Sequence, residues 1–299
     1  MLDYKLLQAC AEVIRHASFE KAARELGLTQ SAVSQRVKLL EDRLGQPLII
    51  RAKPIVATAA GKRLLQHYQS VRLLEHDLQD DLPDIPSDGG FGQVALAVNA
   101  DSLATWFVNV PKCLFDEFGL LVHLSVDDES LNHEALLDGR VLGAISLRPT
   151  PMQGCRARPL GKMRYVMVVS PEFQKRYFSA GVTADALRSC PAVNFSHHDE
   201  LQNQYLKTYF GLNPGDFPAH TVPSSQGFVT VAEQGIAYAV VEIHQAEEGL
   251  RTGRLVQPCD HVIERPLYWH HRTMKSKLLD RVNETILSEA RRFLPAIDR

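Results

Sequence analysis

The sequence predicts a multidomain protein: a helical head with a short hairpin wing, one long linking helix, and an α/β body. Three observations predict it. A helix, a Gly-containing turn and a second helix follow one another between Phe19 and Leu44. A helical pattern from Ala59 to about Leu82 stops at the Pro/Gly/Asp-rich "DLPDIPSDGGFG". From Gln93 onward, short β-branched runs alternate with helical stretches, the mark of an α/β chain with parallel sheets.

A chain of 299 residues accommodates two or three domains, and 45% hydrophobic with 23% charged residues is an ordinary globular composition. No apolar run reaches transmembrane length, and "MLDYKLLQAC" lacks a basic region and a small-residue cleavage site. Cys10, Cys113, Cys155, Cys190 and Cys259 are odd in number, scattered and without a C-x-x-C pair. Reduced thiols in the cytoplasm are therefore expected, with no disulfide framework, metal site or cofactor. Charge is uneven: residues 1–63 carry net +5 and the remainder −7. A basic head on an acidic body suggests that double-stranded DNA meets only the first segment.

In the head, Leu6, Leu7, Cys10, Val13 and Ile14 give a helical face between Asp3 and His16. Ser18 reads as the N-cap of a second helix, Phe19 to Leu26, closed by Gly27. Thr29 reads as the cap of a third, Gln30 to Leu44, before the break at Gly45 and Pro47. Ala22, Ala23 and Leu26 face Val33, Val37 and Leu40, the small alanines letting the two helices approach closely. The polar residues Thr29, Gln30, Ser31, Ser34, Gln35 and Arg36 then gather at the N-terminal end of the third helix. In a helix-turn-helix that end enters the major groove, and short hydrogen-bonding side chains are what base edges require.

The stretch "LIIRAKPIVATAAG" reads as a hairpin wing with Arg51 and Lys53 placed for phosphates. The long helix carries Leu64, Tyr68, Val71, Leu74, Leu78 and Leu82 at a spacing near 3.5, which suits a dimerising coiled coil.

Taken together, Ala17, Ser18, Phe19, Ala22, Ala23, Leu26, Thr29 to Ser34, Leu40, Glu41, Leu44, Gly45, Leu48, Arg51, Thr58 and Gly61 resemble the pattern of LysR-type transcriptional regulators. The resemblance implies a winged helix-turn-helix (1–58), a dimerising linker helix (59–82) and a hinge (83–91). It also implies a two-lobed, periplasmic-binding-protein-like α/β effector domain, with lobe I at 92–162 and 268–299 and lobe II at 163–267. It further implies a homodimer or homotetramer, with RNA polymerase among the partners open to such a regulator and no membrane. "LAVNADSLATW", "VDDES", "PSSQGF" and "LYWH" are similar to the ArgP/LysG (IciA) branch. That branch implies control by lysine or arginine over amino-acid export or metabolism genes, and some members are described as inhibitors of replication initiation. The chain departs from the family at Asp128, where Gly is common, at Leu142-Gly143-Ala144-Ile145, where LDLAI is frequent, and at Glu242, where Pro is usual.

Strands are expected in "QVALAV", "LVHLSV", the end of "LLDGRVLGAISL", "RYVMVVS", "PAVNF" and "IAYAVV", with helices such as 224–234 between them. "PLYWHHR" and the helix beyond Met274 are expected to return to lobe I. Ligands of open α/β sheets bind beyond the carboxyl ends of strands, here Asn99–Ser102, Val126–Glu129 and Asn194–Asp199. The expected effector contacts are Asn99, Ser102, Asp127, Asp128, Glu129 and Asp199. Ser102, or the N–H groups opening the helix after Ala100, would take an α-carboxylate, and Asp128 would take a cationic side chain. Read as structure alone, Ser102 is simply a helix N-cap, and the three acids a solvated helix start.

His197-His198-Asp199 lacks the ligand spacing of a metal centre, and His270-His271 reads as packing and surface. No G-x-S-x-G elbow, Walker loop or dinucleotide fingerprint is present, which disfavours an enzyme. The competing classes are a ligand-controlled transcription regulator, a replication-control or architectural DNA binder, and an amino-acid binding protein.

Overall fold

Capping side chains set the boundaries of the head. The computed structural model describes residues 2–82, 92–126, 129–196 and 199–297; the expected hinge, Asp127, Asp128, His197 and His198 lie outside them. Helix α1 (Tyr4–His16) starts where Asp3 accepts the Lys5 and Leu6 amides. In α2 (Phe19–Glu25) the cap is Ser18, which accepts Lys21 N–H. In α3 (Gln30–Leu44) it is Thr29, which accepts Ala32 N–H, and Gly45 closes the helix in a left-handed conformation. Each cap satisfies a backbone donor that the helix cannot. The wing is the antiparallel pair β1 (Ile49–Ile50) and β2 (Val56–Ala57). Glu41 of α3 accepts both Leu48 N–H and Ile49 N–H and so ties the wing to the third helix. Helix α4 (Ala59–Asp81) follows directly, capped by Thr58.

The remaining elements come in the order β3 (Gly92–Val98), α5 (Ala100–Ala104), α6 (Asn109–Phe118), β4 (Leu120–Val126), α7 (Glu129–Leu137), β5 (Gly143–Ser146) and β6 (Cys155–Val168). Then come α8 (Pro171–Tyr177), α9 (Ala184–Ser189), β7 (Ala192–Asn194), α10 (Glu200–Phe210), β8 (Ala219–Thr221), α11 (Ser225–Glu233) and β9 (Ala239–Glu242). The chain ends with α12 (Ile243–Thr252), β10 (Val262–Arg272) and α13 (Lys277–Phe293). Among the described residues no helix is long and apolar enough to cross a membrane.

Two units divide this chain. The first comprises Met1–Val98, Pro111–Arg158 and Trp269–Ile286. Its head has one core, in which Leu7, Cys10, Val13, Ala22, Val33, Val37, Leu40 and Leu48 are buried together with Leu65 and Tyr68 of α4. Its strands run in the order β4-β3-β5-β10, with β3 parallel to both β4 and β5. Gly143 makes room for the buried Trp269: a Cβ there would lie 2.1 Å from the indole, and Trp269 in turn donates to Asn283 Oδ1 at 2.8 Å. The departure at Leu142-Gly143 is thus a packing match. His270 and His271 are both buried, which corrects the expectation that this pair lies partly at the surface; β10 carries them inside the sheet. In the same unit α4 meets α13, where Asp77 accepts Lys277 N–H and Leu278 N–H and Asp80 pairs with Arg281 at 2.6 Å.

The second unit comprises Asn99–Val110, Pro159–Tyr268 and Leu287–Arg299. Its sheet runs β10-β6-β9, and β6 pairs with β9 antiparallel, while β7 and β8 form a separate parallel pair. Parallel pairing, as expected of an α/β body, holds for β3 with β4 and β5 and for β7 with β8, while β6 and β9 make the sheet mixed. Val166, Val168, Val193, Phe228, Ala232, Ala239 and Val241 form its core.

Helix α4 has two apolar sides. Leu65, Tyr68 and Leu73 are buried, whereas Leu74, Leu78 and Leu82 are each about half exposed. Its start is fixed by Gly61, where a Cβ would lie 2.0 Å from the Leu48 carbonyl oxygen. Gly61→Ala is accordingly expected to destabilise the protein by about 1–3 kcal/mol, the range of overpacked sites. Chemical denaturation checks this, and an unchanged midpoint would contradict the close approach.

Candidate nucleic-acid interface and effector site

Helix α3 divides cleanly by face. Val33, Val37 and Leu40 are fully buried, while Gln30, Ser31 and Gln35 are exposed and Ser34 and Arg36 partly so. At 100° per residue, Gln30, Ser31, Ser34 and Gln35 fall on one side of the helix. Thr29 is committed to its cap and also contacts Ser31 Oγ at 3.1 Å. On the wing Arg51 and Lys53 are exposed. The Arg51 guanidinium lies 5.5 Å from the Phe19 ring centre, a cation–π contact that holds it over the start of α2.

The second unit gathers a polar cluster that the sequence does not announce. Asp101, in the first turn of α5, accepts the Tyr165 hydroxyl at 2.9 Å through Oδ2 and the Ser225 hydroxyl through Oδ1. Gln245 Nε2 donates to Ser225 Oγ at 2.7 Å. Tyr165 on β6 is the cross-strand partner of Glu242 at the end of β9. Glu242 is only 1% exposed. It caps α12 by accepting His244 N–H at 2.9 Å and contacts His244 Nδ1 at 2.8 Å. The departure at Glu242 thus places a carboxylate at a buried helix start.

Electrostatics set this cluster apart. Burial raises the Asp101 carboxyl above its ordinary range, the Ser225 and Tyr165 hydrogen bonds pull it back, and Asp199 pushes it up again. Burial likewise raises Glu242, opposed by His244 and reinforced by Asp101. Desolvation, followed by the nearby Asp101 charge, holds the Tyr165 hydroxyl firmly protonated. Acidic groups thus bear on one another's charge at partly buried Asp101 and buried Glu242, and the field there favours a cation.

The expected effector residues fall in different settings. Asn99 is the N-cap position of α5 without a side-chain cap bond, and its Oδ1 is buried with no partner among the described residues. Ser102 is not an N-cap: it lies inside α5, fully buried, with its hydroxyl directed at Met163 Sδ at 3.7 Å. Asp199 caps α10, accepting Gln202 N–H at 3.0 Å and Phe195 N–H at 2.8 Å. Glu129 opens α7. The residues missed were Asp101, Tyr165, Ser225, Gln245 and Glu242. Asp101, inside "LAVNADSLATW", Ser225, inside "PSSQGF", and Glu242, standing in place of a Pro, carried some signal; Tyr165 and Gln245 carried none.

Comparison with known proteins agrees with this division. Residues 4–62 match the bacterial regulatory helix-turn-helix protein, lysR family, and residues 117–291 match the LysR substrate binding domain. The chain is 43% identical over 296 residues to the HTH-type transcriptional regulator ArgP of Aeromonas salmonicida, covering 98% of each. It is 42% identical to the ArgP of Pseudomonas fluorescens (strain Pf0-1), covering 100% of each. Among solved structures it is similar to ArgP from Mycobacterium tuberculosis, with TM-score 0.80, 34% identity, and 99% and 100% of the two chains covered. It is also similar to full-length LysG from Corynebacterium glutamicum with bound effector Arg, with TM-score 0.73, 28% identity, and 98% and 100% covered. A helix-turn-helix head with a polar outer face, joined to a body that matches the substrate-binding domain over most of its length, places this chain in the LysR family of DNA-binding transcriptional regulators, proteins that act by binding rather than by catalysis.

Proposed function

We propose that this regulator is controlled by a basic amino acid, arginine or lysine, whose cationic group is received at Asp101. The observation that carries the reading is the partly buried carboxylate of Asp101, fixed by Tyr165 and Ser225 with Asp199 adding negative field. A cation relieves that field, whereas a neutral or anionic ligand does not. The likeness to LysG, which carries bound effector Arg, supports the same class of ligand. Asn99 and Ser102 on α5 and Asp199 on α10, all in the same unit as Asp101, remain candidates for contact with this ligand. The unpartnered Asn99 amide suits a polar group of the same ligand.

In the head, Gln30, Ser34 and Gln35 are assigned to base edges, and Thr29, Ser31 and Arg36 to the groove walls around them. Arg51 and Lys53 on the wing are assigned to phosphates. The proposed domain plan keeps 1–58 for DNA and 59–82 for dimerisation through the exposed face of α4, with the effector domain beyond the 83–91 hinge. Genes of amino-acid export or metabolism are the proposed targets, and RNA polymerase the proposed partner at the promoter.

Asp101→Asn is expected to weaken arginine and lysine binding by about 2–5 kcal/mol, since it unpairs a desolvated charge. Calorimetry on the full chain measures this, and unchanged affinity for both amino acids would exclude Asp101 as their receptor. Gln35→Ala is expected to cost about 1–3 kcal/mol at the operator with little effect on random DNA. Arg51→Ala should instead weaken both and reduce the salt dependence. Equal losses on the two DNAs for Gln35→Ala would reject base readout by that side chain. Replacing Leu74 and Leu78 by Glu should yield monomers that bind the operator poorly, because two tethered heads gain effective concentration. Sedimentation that still shows the wild-type assembly would place the seam elsewhere.

A further inference from the structure

We propose that the first unit carries a second ligand site, in which Arg156, Arg158 and His271 bind the oxyanion group of a small metabolite. The site is a cleft of about 390 Å³ between the start of β6 and the end of β10, with Asp280 and Asn283 of α13 along one side. All of these residues belong to the first unit, whereas the Asp101 cluster belongs to the second.

Strand geometry brings the three basic groups together. Arg156 and Arg158 alternate along β6, so their side chains leave the same face of that strand. Strand β10 is its neighbour in the sheet, and Thr273 N–H donates to the Gly154 carbonyl at 2.9 Å, which sets the end of β10 beside the start of β6. His271 is only 7% exposed. Its Nδ1 is engaged, lying 3.1 Å from the Arg272 carbonyl oxygen and 3.2 Å from Asn283 Nδ2. Asn283 is itself fixed by the Trp269 indole at its Oδ1. The other ring nitrogen, Nε2, is buried with no partner among the described residues. A buried polar atom left unbonded is costly, and native structures rarely leave one without a purpose. The cleft that His271 lines is where a partner can reach it.

Charge selects the kind of partner. Arg158 is steered toward α13 by Glu284, which takes its Nη1 at 2.7 Å and leaves the rest of the guanidinium free to donate. Arg156 is exposed and has no ion pair or hydrogen bond among the described residues. Burial lowers the His271 pKa, the Arg272 carbonyl opposes this, Arg158 and Arg156 lower it further, and Asp280 acts the other way. The imidazole therefore lies in the field of both arginines. Asp280, the one acid among the described lining residues, is exposed. An oxyanion relieves the repulsion among these groups and offers an acceptor to Nε2–H. The guanidinium fork matches the oxygens of a phosphate or a carboxylate. A cation or an apolar molecule does neither.

The test is calorimetry of the full chain with inorganic phosphate and, separately, with succinate, at constant ionic strength in a chloride background. The expected result is saturable binding of at least one of the two. Arg156→Gln is expected to weaken it about tenfold, the effect of losing one charge-assisted hydrogen bond. Because Arg156 is exposed, the variant should unfold at the wild-type temperature in chloride and give the wild-type arginine titration. Saturation by phosphate alone assigns the cleft to a phosphate ester, and saturation by succinate alone assigns it to a carboxylate. Failure of both anions to saturate, or unchanged affinity in Arg156→Gln, would overturn the site. A parallel loss of arginine affinity in that variant would overturn its separation from the Asp101 cluster.

Discussion

A carboxylate drawn partly out of water must be compensated, and the polar cluster of the second unit meets that requirement at Asp101. Tyr165 and Ser225 each give it one hydrogen bond, yet burial still raises its pKa. Hydrogen bonds from neutral hydroxyls stabilise the anion without cancelling its charge, and Asp199 deepens the deficit. Arg265 offsets the deficit only in part, and a further positive charge is the chemistry a basic amino acid supplies. The same deficit explains why elements far apart in sequence converge here: α5 supplies the acid, β6 the tyrosine, α11 the serine and α12 the glutamine that orients it.

The first unit is governed by backbone satisfaction. Asp3, Ser18, Thr29 and Thr58 each cap a helix, and Glu41 takes two amides of the wing. These bonds fix where α3 begins and how the wing leaves it, and they spend Thr29 on structure. Gln30, Ser34 and Gln35 have no such duty among the described contacts and face outward, the condition for a side chain that is to meet bases. Below them, Val33, Val37 and Leu40 pack on α1 and α2, so the polar face rests on a rigid support.

Much of the fold was legible because it is written locally. A cap residue, a glycine at the helix end and a 3.6-residue repeat lie within a few positions of one another, and α3 begins and ends where Thr29 and Gly45 place it. The strand "LVHLSV" and the helix near 224–234 were readable for the same reason. The effector cluster was not, because no periodicity relates Asp101 to Tyr165, Ser225 and Glu242. An acid in the first turn of a helix has an ordinary local explanation, which hid Asp101 beside Asn99 and Ser102. Ser102 seemed the more useful group until burial turned it toward Met163. In the linker helix the expected repeat includes Leu74, Leu78 and Leu82, which are about half exposed, while Leu65 and Leu73, outside that repeat, pack inward and were not read from the spacing.

The central claim is that charge, rather than shape, admits the effector. Citrulline replaces the guanidinium of arginine with a neutral group of nearly the same form, so a calorimetric comparison of the two ligands on the wild-type chain tests the claim directly. The account predicts measurable arginine binding with citrulline weaker by at least about tenfold, the loss expected when a desolvated carboxylate is left without its cation. Equal affinities for citrulline and arginine would contradict it.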